Sequence, residues 1–364
     1  MKKILAVFGT RPEAIKICPL VKELQKREGF EVRVCVTAQH RAMLDSVLSA
    51  FGITPDADLD LMRQGQTLSE LTSRILCGLS KVLKNRPDAV LVHGDTTTAF
   101  AASLACFYEK IPVCHVEAGL RTHDLSAPFP EEFNRRAVAL TARLHFAPTE
   151  GARRNLLDEG ILRERVFVTG NTVIDALSTT VRENFTHPVL DWAKGDRLIL
   201  LTAHRRENIG EPMRNIFKAL RRVIEERRGL RAVYPMHKNP AVRSIAESEL
   251  ADCGKILLTE PIDVFDCHNL MARSFLVLTD SGGIQEEAPS LGVPVLVTRN
   301  TTERPEGVEA GVLRLVGTEE ERIYSELCRL LDDGNEYAAM ARAVNPYGDG
   351  KASERIADIL EKFL

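Results

Sequence analysis

Short apolar runs alternate with amphipathic stretches along almost the whole chain of 364 residues. The runs predict a first series of six strands at Ile4–Phe8, Val32–Thr37, Ala89–His93, Val113–Val116, His145–Ala147 and Val166–Val168. They predict a second series at Leu198–Thr202, Arg231–Tyr234, Ile256–Leu258, Phe275–Thr279, Val293–Val297 and Leu313–Val316. Helical periodicity fills most gaps, for example at Leu68–Lys84, Thr97–Tyr108, Met213–Arg227 and Glu319–Leu331. This alternation is typical of parallel sheets with helices on both faces, so we expect an α/β protein with two Rossmann-like domains.

The polar stretch around Arg182–Lys194 separates the two series and carries Pro188 and the only tryptophan, Trp192. We therefore predict an N-terminal domain of residues 1–175 and a C-terminal domain of residues 190–349. The chain is long enough to bury two separate cores. Ligands bind beyond the carboxyl ends of strands in open parallel sheets, so the expected site is a cleft between the domains.

Composition narrows the classes of partner. A formal net charge of -3 gives no electrostatic basis for binding nucleic acid or an anionic membrane. No apolar stretch approaches the ~18 residues of a membrane span, and the initial apolar run breaks at Gly9, too early for a secretory segment. The eight cysteines form no C-x-x-C pair and lie mostly in apolar runs. We expect reduced cysteines in a cytoplasmic protein with no nucleic-acid or membrane partner.

The segment DSGGIQEEA, Asp280–Ala288, follows a predicted strand and leads into a predicted helix. The turn Ser281, Gly282 and Gly283 would present backbone N–H groups at the positive end of a helix, which suits a phosphate or diphosphate. Glu286 and Glu287 would lie about one turn further on, within reach of sugar hydroxyls. The alternative is a strand-to-helix turn in which glycine serves only backbone freedom.

Basic side chains follow other predicted strands. In GTRPEAIK, Arg11 and Lys16 bracket a helix start that Pro12 suits, so they form a candidate anion clamp or simply charge a capped surface helix. In LTAHRREN, His204, Arg205 and Arg206 cluster after a strand, and RNTTERPEG adds Arg304 in a loop. Cations gathered around a Ser-Gly-Gly turn favour a diphosphate ligand.

Two further strand ends carry paired histidine and carboxylate residues. His93 and Asp95 lie in LVHGDTTTAF, and His115 and Glu117 lie in CHVEAGLRT. Residues two apart share one face of a strand, so the carboxylates are candidates for general acid or base chemistry. The same residue types could bind a metal ion. Both histidines could also be hydrogen-bonded residues of the core.

A fourth segment, PFPEEFNRR, places Glu131 and Glu132 in the first turn of a predicted helix. A catalytic role is one interpretation, and complementarity to the helix dipole is the other. The chain contains neither a G-x-x-x-x-G-K-[ST] phosphate loop nor a G-x-G-x-x-G after a strand. The second absence argues against a dinucleotide-dependent redox enzyme.

Taken together, these segments resemble the bacterial non-hydrolysing UDP-N-acetylglucosamine 2-epimerases. The resemblance covers nearly the whole chain, in the order and spacing of that family. It runs through VFGTRPEAIK, TAQHR, VLVHGDTTT, HVEAGLRT, PFPEE, TGNTVIDAL, LTAHRREN, LTDSGGIQEEAPSLG, TTERPEG and NPYGDG.

The resemblance implies a GT-B architecture, in which a final helix, here within residues 350–364, packs back on the first domain. It implies reversible interconversion of UDP-GlcNAc and UDP-ManNAc by elimination of UDP to a 2-acetamidoglucal and re-addition, for cell-surface polysaccharide synthesis. It also implies a homodimer and no cofactor, neither NAD nor an obligatory metal. A hydrolysing epimerase, a GT-B glycosyltransferase, a non-catalytic nucleotide-sugar sensor and a metal-dependent hydrolase are the alternatives.

The resemblance also implies roles for individual residues. The family's catalytic carboxylates match Asp95, Glu117 and Glu131, and its histidine near the diphosphate matches His204. Its contacts to UDP match Arg11, Lys16, Ser281, Gly282, Gly283, Glu287 (on the ribose) and Arg304. A second, activating UDP-GlcNAc site of some members matches Gln39, Glu132, Arg205 and His237. Ala42 and Gly65 depart from that second pattern, because they replace polar or basic residues.

Overall fold

The computed structural model describes residues 1–37, 41–61, 63, 65–126 and 128–364, with only the backbone described at residues 41–43. The chain forms two compact units: unit 1 comprises Met1–Thr179 and Tyr347–Leu364, and unit 2 comprises Thr180–Pro346. The polar stretch 182–194 belongs to unit 2. No helix in the described part of the chain combines the length and apolar character needed to cross a membrane.

Each unit contains one parallel sheet. The sheet of unit 1 has the order β3-β2-β1-β4-β5-β6-β7, with strands β1 Lys2–Phe8, β2 Phe30–Val36, β3 Ala57–Asp58, β4 Ala89–His93, β5 Val113–Val116, β6 Leu144–Ala147 and β7 Val166–Val168. The sheet of unit 2 has the order β10-β9-β8-β11-β12-β13, with strands β8 Arg197–Thr202, β9 Leu230–Pro235, β10 Ile256–Thr259, β11 Leu276–Thr279, β12 Val295–Val297 and β13 Leu313–Leu315.

Helices connect successive strands. Unit 1 contains α1 Arg11–Gln25, α2 Arg41–Ala50, α3 Leu68–Val82, α4 Thr97–Glu109, α5 Glu131–Thr141, α6 Glu150–Asp158, α7 Thr172–Thr180, whose last residue begins unit 2, and α16 Ala352–Phe363. Unit 2 contains α8 Pro188–Trp192, α9 Glu211–Glu226, α10 Pro240–Leu250, α11 Val264–Ala272, α12 Ile284–Ser290, α13 Pro305–Glu309, α14 Glu320–Asp332 and α15 Gly334–Arg342. The prediction of an α/β protein with two Rossmann-like domains is confirmed, while the cleft between them stays a prediction.

The expected count of six strands in the first sheet is wrong, because the sheet has a seventh strand, β3. This strand spans only Ala57–Asp58 and pairs with Cys35 and Val36 at the sheet edge. A half-buried alanine followed by an exposed aspartate produces no apolar run, so the hydrophobic pattern could not indicate the strand.

Both sheets reverse their strand order once, between β1 and β4 in unit 1 and between β8 and β11 in unit 2. Strand residues at these positions are almost all fully buried, as expected of parallel strands covered on both faces. Side chains beyond the carboxyl ends of the central strands therefore collect at one edge of each sheet, which is where ligands bind in such folds.

The last segment of the chain completes unit 1. Helix α16 packs on α1, and Arg27, two residues after the end of α1, donates to Asp358 at 2.7 Å. The start of α16 is held by Asp175, whose carboxylate accepts the backbone N–H of Ser353 at 2.6 Å. Unit 1 is therefore built from two stretches of sequence that unit 2 separates.

Candidate active site

The site in unit 1 is a cavity of about 440 Å³ beyond the ends of β1, β4 and β5. The register pairs His93 with Val116, so Asp95 and Glu117 both lie just past the last paired residues of neighbouring strands. The lining residues are Thr10, Arg11, Pro12, Glu13, Lys16, His93, Gly94, Asp95, Thr96 and Glu117. The structure thus brings together five of the candidate residues of the sequence: Arg11, Lys16, His93, Asp95 and Glu117.

Glu117 adopts a left-handed backbone conformation, with φ of 60°. A residue with a side chain adopts this conformation at a cost of about 1–3 kcal/mol, which is typical of functional sites. Its Oε2 pairs with Lys16 Nζ and accepts a hydrogen bond from Asn171 Nδ2 at 2.8 Å. Burial opposes ionisation, but Lys16 and His93 outweigh it and hold the pKa of Glu117 well below its ordinary value. Glu117 is therefore a carboxylate at any physiological pH.

Asp95 lies in a different electrostatic environment. Burial raises its pKa above the ordinary value, the ion pair with Arg135 opposes that shift, and nearby Glu117 and Glu131 add to it. Arg135 Nη2 lies 2.7 Å from Asp95 Oδ2. Two neighbouring carboxyl groups with pKa values displaced in opposite directions are typical of a site that performs acid–base chemistry.

Helix α5 supplies the supports of Asp95. Asn134 Nδ2 donates to the backbone carbonyl of Asp95 at 2.8 Å, and Arg135 forms the ion pair. Glu131, at the start of this helix, lines an adjoining cavity of about 450 Å³ that also contacts Thr10 and Thr96. Glu131 is close enough to Asp95 to help raise the pKa of Asp95, and its catalytic role stays a prediction.

Glu132 makes contacts that stabilise the fold of unit 1. It is buried, its carboxylate accepts the backbone N–H groups of Thr122 and His123 at 3.1 and 3.2 Å, and it pairs with Arg135 and Arg136. Burial opposes ionisation, yet these hydrogen bonds lower the pKa of Glu132. Its carboxylate thus holds the loop after β5 against α5.

The two histidines at the strand ends are both buried, and His93 also lines the cavity, with its Nε2 3.8 Å from Glu117 Oε2. His93 is 3 % exposed and His115 is fully buried, and burial lowers their pKa values to about 4 and about 3. His115 Nε2 lies 2.7 Å from the carbonyl oxygen of Gly94, so it donates there and fixes the turn before Asp95. Within the described ranges, no three His, Cys, Asp or Glu side chains gather as metal ligands would.

Unit 2 forms a second site around Asp280, which is fully buried at the end of β11. Its carboxylate accepts the backbone N–H groups of His204 and Arg205 at 2.9 Å each and the side-chain amide of Asn208 at 3.1 Å. Asp280 therefore shapes the loop after β8, and with it the position of both basic residues. The ring of His204 stacks on His237, with 5.7 Å between centroids.

The pKa of His204 is lowered, because burial and the neighbouring His237 and Arg205 outweigh Asp280. At neutral pH the ring is therefore uncharged until an anion binds beside it. An incoming phosphate would favour the charged imidazolium and thereby gain a hydrogen-bond donor.

The turn Ser281–Gly283 precedes α12, and Arg304 lies directly against it. A Cβ on Gly282 would lie 2.8 Å from Arg304 Nη1, so only glycine allows the guanidinium this close. Arg304 Nε donates to Glu286 Oε1 at 2.5 Å. The expectation that Glu286 faces sugar hydroxyls is wrong, because its buried carboxylate orients Arg304 instead.

Glu287 keeps an accessible position on α12, with 15 % of its side chain exposed. Its Oε2 lies 3.4 Å from Nε2 of the buried His268. The other ring nitrogen of His268 lies 2.8 Å from Thr180 Oγ1. This chain of contacts orients Glu287 as a fixed acceptor beside the Ser281–Gly283 turn.

The remaining candidate residues are those matched to a second UDP-GlcNAc site. Gln39 lies outside the described residues, as does the side chain of Ala42. Gly65 lines the cavity that contains Glu131. His237 is exposed and accepts the backbone N–H of Asn239 through Nδ1 at 3.1 Å.

Sequence reasoning missed several supporting residues: Glu13, Asn134, Arg135, Asn171, Asn208, His268 and Asp280. One of them had a recognisable signal. Thr10 and Glu13 form a capping box at the start of α1, the pattern that T-x-x-E predicts. Glu13 is buried, and its Oε1 also accepts a hydrogen bond from Thr96 at 2.6 Å, which ties α1 to the loop after β4.

Known proteins resemble this chain over nearly its whole length. The family model described as UDP-N-acetylglucosamine 2-epimerase matches residues 22–361. The UDP-N-acetylglucosamine 2-epimerase of Bacillus subtilis (strain 168) is 58% identical over 359 residues, which cover 98% of this chain and 94% of the relative.

Two solved structures show the same similarity together with ligands. The structure of S. aureus MnaA with UDP is 54% identical, has a TM-score of 0.91 and matches over 100% of this chain and 97% of that one. The UDP-GlcNAc 2-epimerase from Neisseria meningitidis, bound to UDP-GlcNAc, is 48% identical with a TM-score of 0.89, over 99% of this chain and 100% of that one.

Proposed function

The chain belongs to the UDP-N-acetylglucosamine 2-epimerase family, and from this premise we propose that it interconverts UDP-GlcNAc and UDP-ManNAc without hydrolysis. The single observation that carries the proposal is the pair Asp95 and Glu117 in one cavity, with pKa values displaced in opposite directions. Inversion at C2 requires a proton to leave one face of the sugar and another to arrive on the opposite face. Two carboxyl groups with pKa values displaced to opposite sides of the ordinary value suit these two tasks.

The reaction begins at the bond between C1 and the UDP oxygen, because the C2–H of the intact sugar is too weakly acidic for a carboxylate to remove. Cleavage sends the bonding electrons to UDP and leaves an oxocarbenium-like centre, which acidifies C2–H. A carboxylate then takes that proton, and the C2–H electrons form the C1=C2 bond of a 2-acetamidoglucal. In the return step a carboxylic acid protonates C2 from the other face while a diphosphate oxygen adds to C1.

Unit 1 supplies the proton transfers in this proposal. Glu117 serves as a base, since Lys16 and Asn171 keep it ionised and fixed. Asp95 serves as the group that holds a proton most readily, since burial favours its neutral form. Glu131 is the third carboxylate of the proposed site, and its negative charge helps to raise the pKa of Asp95. Each such group contributes about 10²–10⁴ in rate.

Unit 2 supplies binding of UDP. Ser281–Gly283 and Arg304 receive the diphosphate, and Glu287 accepts from the ribose hydroxyls. Arg11 and Lys16 belong to unit 1 and are the cations that it offers to the substrate. His204 becomes charged as the diphosphate departs from C1 and stabilises the developing negative charge. A UDP-GlcNAc activator at Gln39, Glu132, Arg205 and His237 is not part of the proposal, because Glu132 already holds its own loop.

The test is turnover of UDP-GlcNAc in D₂O, followed by NMR. We expect UDP-ManNAc to appear, deuterium to replace hydrogen at C2 in both sugar nucleotides, and no free sugar to accumulate. Stoichiometric release of ManNAc and UDP would overturn the non-hydrolysing reaction in favour of a hydrolysing epimerase. Retention of all hydrogen at C2 would overturn the proton-transfer mechanism itself.

We also propose that the protein is a homodimer formed through an apolar face on α4 and α5. Phe100 and Phe107 lie seven residues apart on α4, as do Phe133 and Leu140 on α5, so each pair shares a helix face. Phe100 and Phe133 pack edge to face at 5.5 Å, and Phe107 and Leu140 are 60% and 82% exposed. A second copy of the same face would cover these side chains.

Light scattering after size exclusion tests the homodimer with a matched pair of variants. Leu140→Glu introduces a charge on the proposed face, and we expect monomers. Val344→Glu alters an equally exposed apolar residue of unit 2, 85% exposed, and should leave the dimer intact. A monomeric native protein, or dimers that persist in Leu140→Glu, would contradict the proposal.

The setting that we propose is the cytoplasm, where UDP-ManNAc supplies ManNAc for cell-surface polysaccharides. All eight cysteines are free thiols, as a reducing compartment maintains. Burial raises the pKa of Cys18 and Cys114 to about 12, so these thiols are inert.

A further inference from the structure

Asn171 lies directly before α7 and is 2 % exposed. Its side-chain amide makes two hydrogen bonds of opposite direction. Nδ2 donates to Glu117 Oε2 at 2.8 Å, and Oδ1 accepts the backbone N–H of Val173 at 3.1 Å. The N–H group at Val173 requires an acceptor and the carboxylate requires a donor, so only this orientation of the amide satisfies both.

The backbone of Asn171 is held as firmly as its side chain. Its N–H donates to the carbonyl oxygen of Tyr347 at 2.7 Å. The preceding residue, Gly170, has a φ of 87°, and a Cβ there would lie 3.2 Å from the Cα of Gly348. The returning C-terminal segment therefore fixes the position from which Asn171 reaches Glu117.

Both hydrogen-bond donors of Glu117 act on the same oxygen. Lys16 and Asn171 bind Oε2, and among the described residues no hydrogen bond reaches Oε1. We propose that Asn171 is a positioning residue for the epimerisation: it fixes the Glu117 carboxylate so that Oε1 is the oxygen that meets the substrate. This inference rests on the proposed function, in which Glu117 is a catalytic base.

The electrostatic surroundings make the role of Asn171 measurable. Lys16 from α1, His93 at the end of β4 and Asp95 beyond it face Glu117. Of these, only Lys16 forms a hydrogen bond with the carboxylate. Replacing the neutral donor Asn171 by a second carboxylate would therefore oppose the ionisation of Glu117 directly.

Two variants separate the contact to Glu117 from the contact to Val173. Asn171→Asp keeps the acceptor for Val173 and turns the donor into a like charge. Asn171→Ser keeps a capping oxygen but is too short to reach Glu117. The matched control is Asn155→Asp, because Asn155 Nδ2 donates at 2.9 Å to the backbone carbonyl of Gly119, two residues beyond Glu117, and does not touch the carboxylate.

We expect Asn171→Asp to lower kcat about 10²-fold, the loss typical of a misplaced catalytic group, with KM for UDP-GlcNAc within about threefold of wild type. The acidic limb of its kcat profile against pH should move to higher pH, because Glu117 then ionises later. Asn171→Ser should lower kcat less and shift that limb less. Asn155→Asp should keep the wild-type profile whatever its effect on stability.

Wild-type kcat and an unmoved acidic limb in folded Asn171→Asp would overturn the inference, and so would an Asn171→Ser profile identical to that of Asn155→Asp. If Asn171→Asp fails to fold, Asn171→Ser alone decides the matter through the same profile. If the wild-type protein fails to epimerise UDP-GlcNAc, the proposed function is wrong. The contact is then still tested by infrared titration of the Glu117 carboxylate, which must shift in Asn171→Asp relative to wild type for the positioning role to stand.

Discussion

The two units place opposite kinds of side chain at the same point of the same fold. Each has a parallel sheet with one reversal of strand order, and each has its candidate site beyond the strands at that reversal. Unit 1 presents carboxylates there, with Lys16 and Arg135 as their partners. Unit 2 presents basic side chains, while two buried carboxylates orient its site: Asp280 accepts hydrogen bonds from the backbone, and Glu286 accepts one from Arg304.

This difference teaches that the scaffold determines where a site forms, and the loop residues determine what it does. Carboxylates with displaced pKa values transfer protons, whereas cations beside a glycine turn bind an anion. We therefore expect variants of the carboxylates of unit 1 to change kcat, and variants of Arg304 and Glu287 in unit 2 to change the binding of UDP.

The largest effect should come from Asp95→Asn in unit 1. Loss of an acid–base group should lower kcat by about 10²–10⁴-fold, with the affinity for UDP within about tenfold of wild type. Asp88→Asn is the control, because Asp88 precedes the same strand at its other end and accepts the N–H of Lys3 at 2.7 Å. NMR turnover assays and calorimetric binding of UDP measure both. An Asp95→Asn enzyme with normal turnover would remove the catalytic assignment.

A smaller loss should follow from Arg304→Ala in unit 2. Charge-assisted hydrogen bonds contribute about 1.5–3 kcal/mol, so KM should rise roughly 10- to 100-fold with little change in kcat. Arg314→Ala is the matched control, because Arg314 of the same unit also pairs with two glutamates, Glu326 and Glu336, and it should leave KM unchanged. If kcat fell and KM stayed constant in Arg304→Ala, the division of labour between the units would be wrong.

Glu287→Gln should have a weaker and more selective effect. Wild type should bind UDP more tightly than 2′-deoxy-UDP, because only UDP has the 2′-hydroxyl that would donate to Glu287. Removing the charge of this acceptor should lower the ratio of the two affinities by about tenfold. Calorimetry with the two nucleotides measures this ratio, and Glu249→Gln, in an ion pair elsewhere on unit 2, should not change it. An unchanged ratio in Glu287→Gln would place the ribose elsewhere.

The smallest effect concerns stability in acid. Burial opposes ionisation of Glu303, but Arg304 and Arg299 outweigh it and lower its pKa to about 2. A lowered pKa stabilises the folded state above the ordinary value of 4.5, and this contribution is lost as pH falls toward 2. The free energy of unfolding of Glu303→Gln should thus lie roughly 1 kcal/mol below wild type at pH 6 and approach it in acid. Urea unfolding across that range tests the trend, and a constant difference would contradict it.

The fold class and the candidate residues at the strand ends could be predicted from the sequence alone. Parallel strands align their carboxyl ends, so Asp95 and Glu117 could be placed together once two apolar runs ended at His93 and Val116. In unit 2, His204 and Ser281 likewise follow the ends of neighbouring parallel strands, so they too could be placed together. Both inferences needed only the order of the runs and the direction of the strands.

The supporting contacts could not be predicted in this way. Asn171 meets Glu117, and Asp280 meets the backbone of His204, across large separations in sequence. Such pairs depend on strand register and on side-chain direction, which a single sequence does not determine. Glu286 and Glu287 illustrate this limit, because they are neighbours in sequence but differ in environment. Glu286 is buried against Arg304, whereas Glu287 remains accessible.

The split construction of unit 1 has a consequence for biosynthesis. Residues 1–179 are made first, but the carbonyl of Tyr347 that fixes Asn171 and the helix that covers α1 are made only after all of unit 2. At about 5–20 residues per second, the ribosome needs roughly 10–40 s to supply them. During that interval a nascent chain has Asp95 and Glu117 in sequence but lacks the last support of Glu117. The support of Asn171 by Tyr347 is therefore among the last contacts that the newly made molecule acquires, and a chain interrupted within unit 2 lacks it.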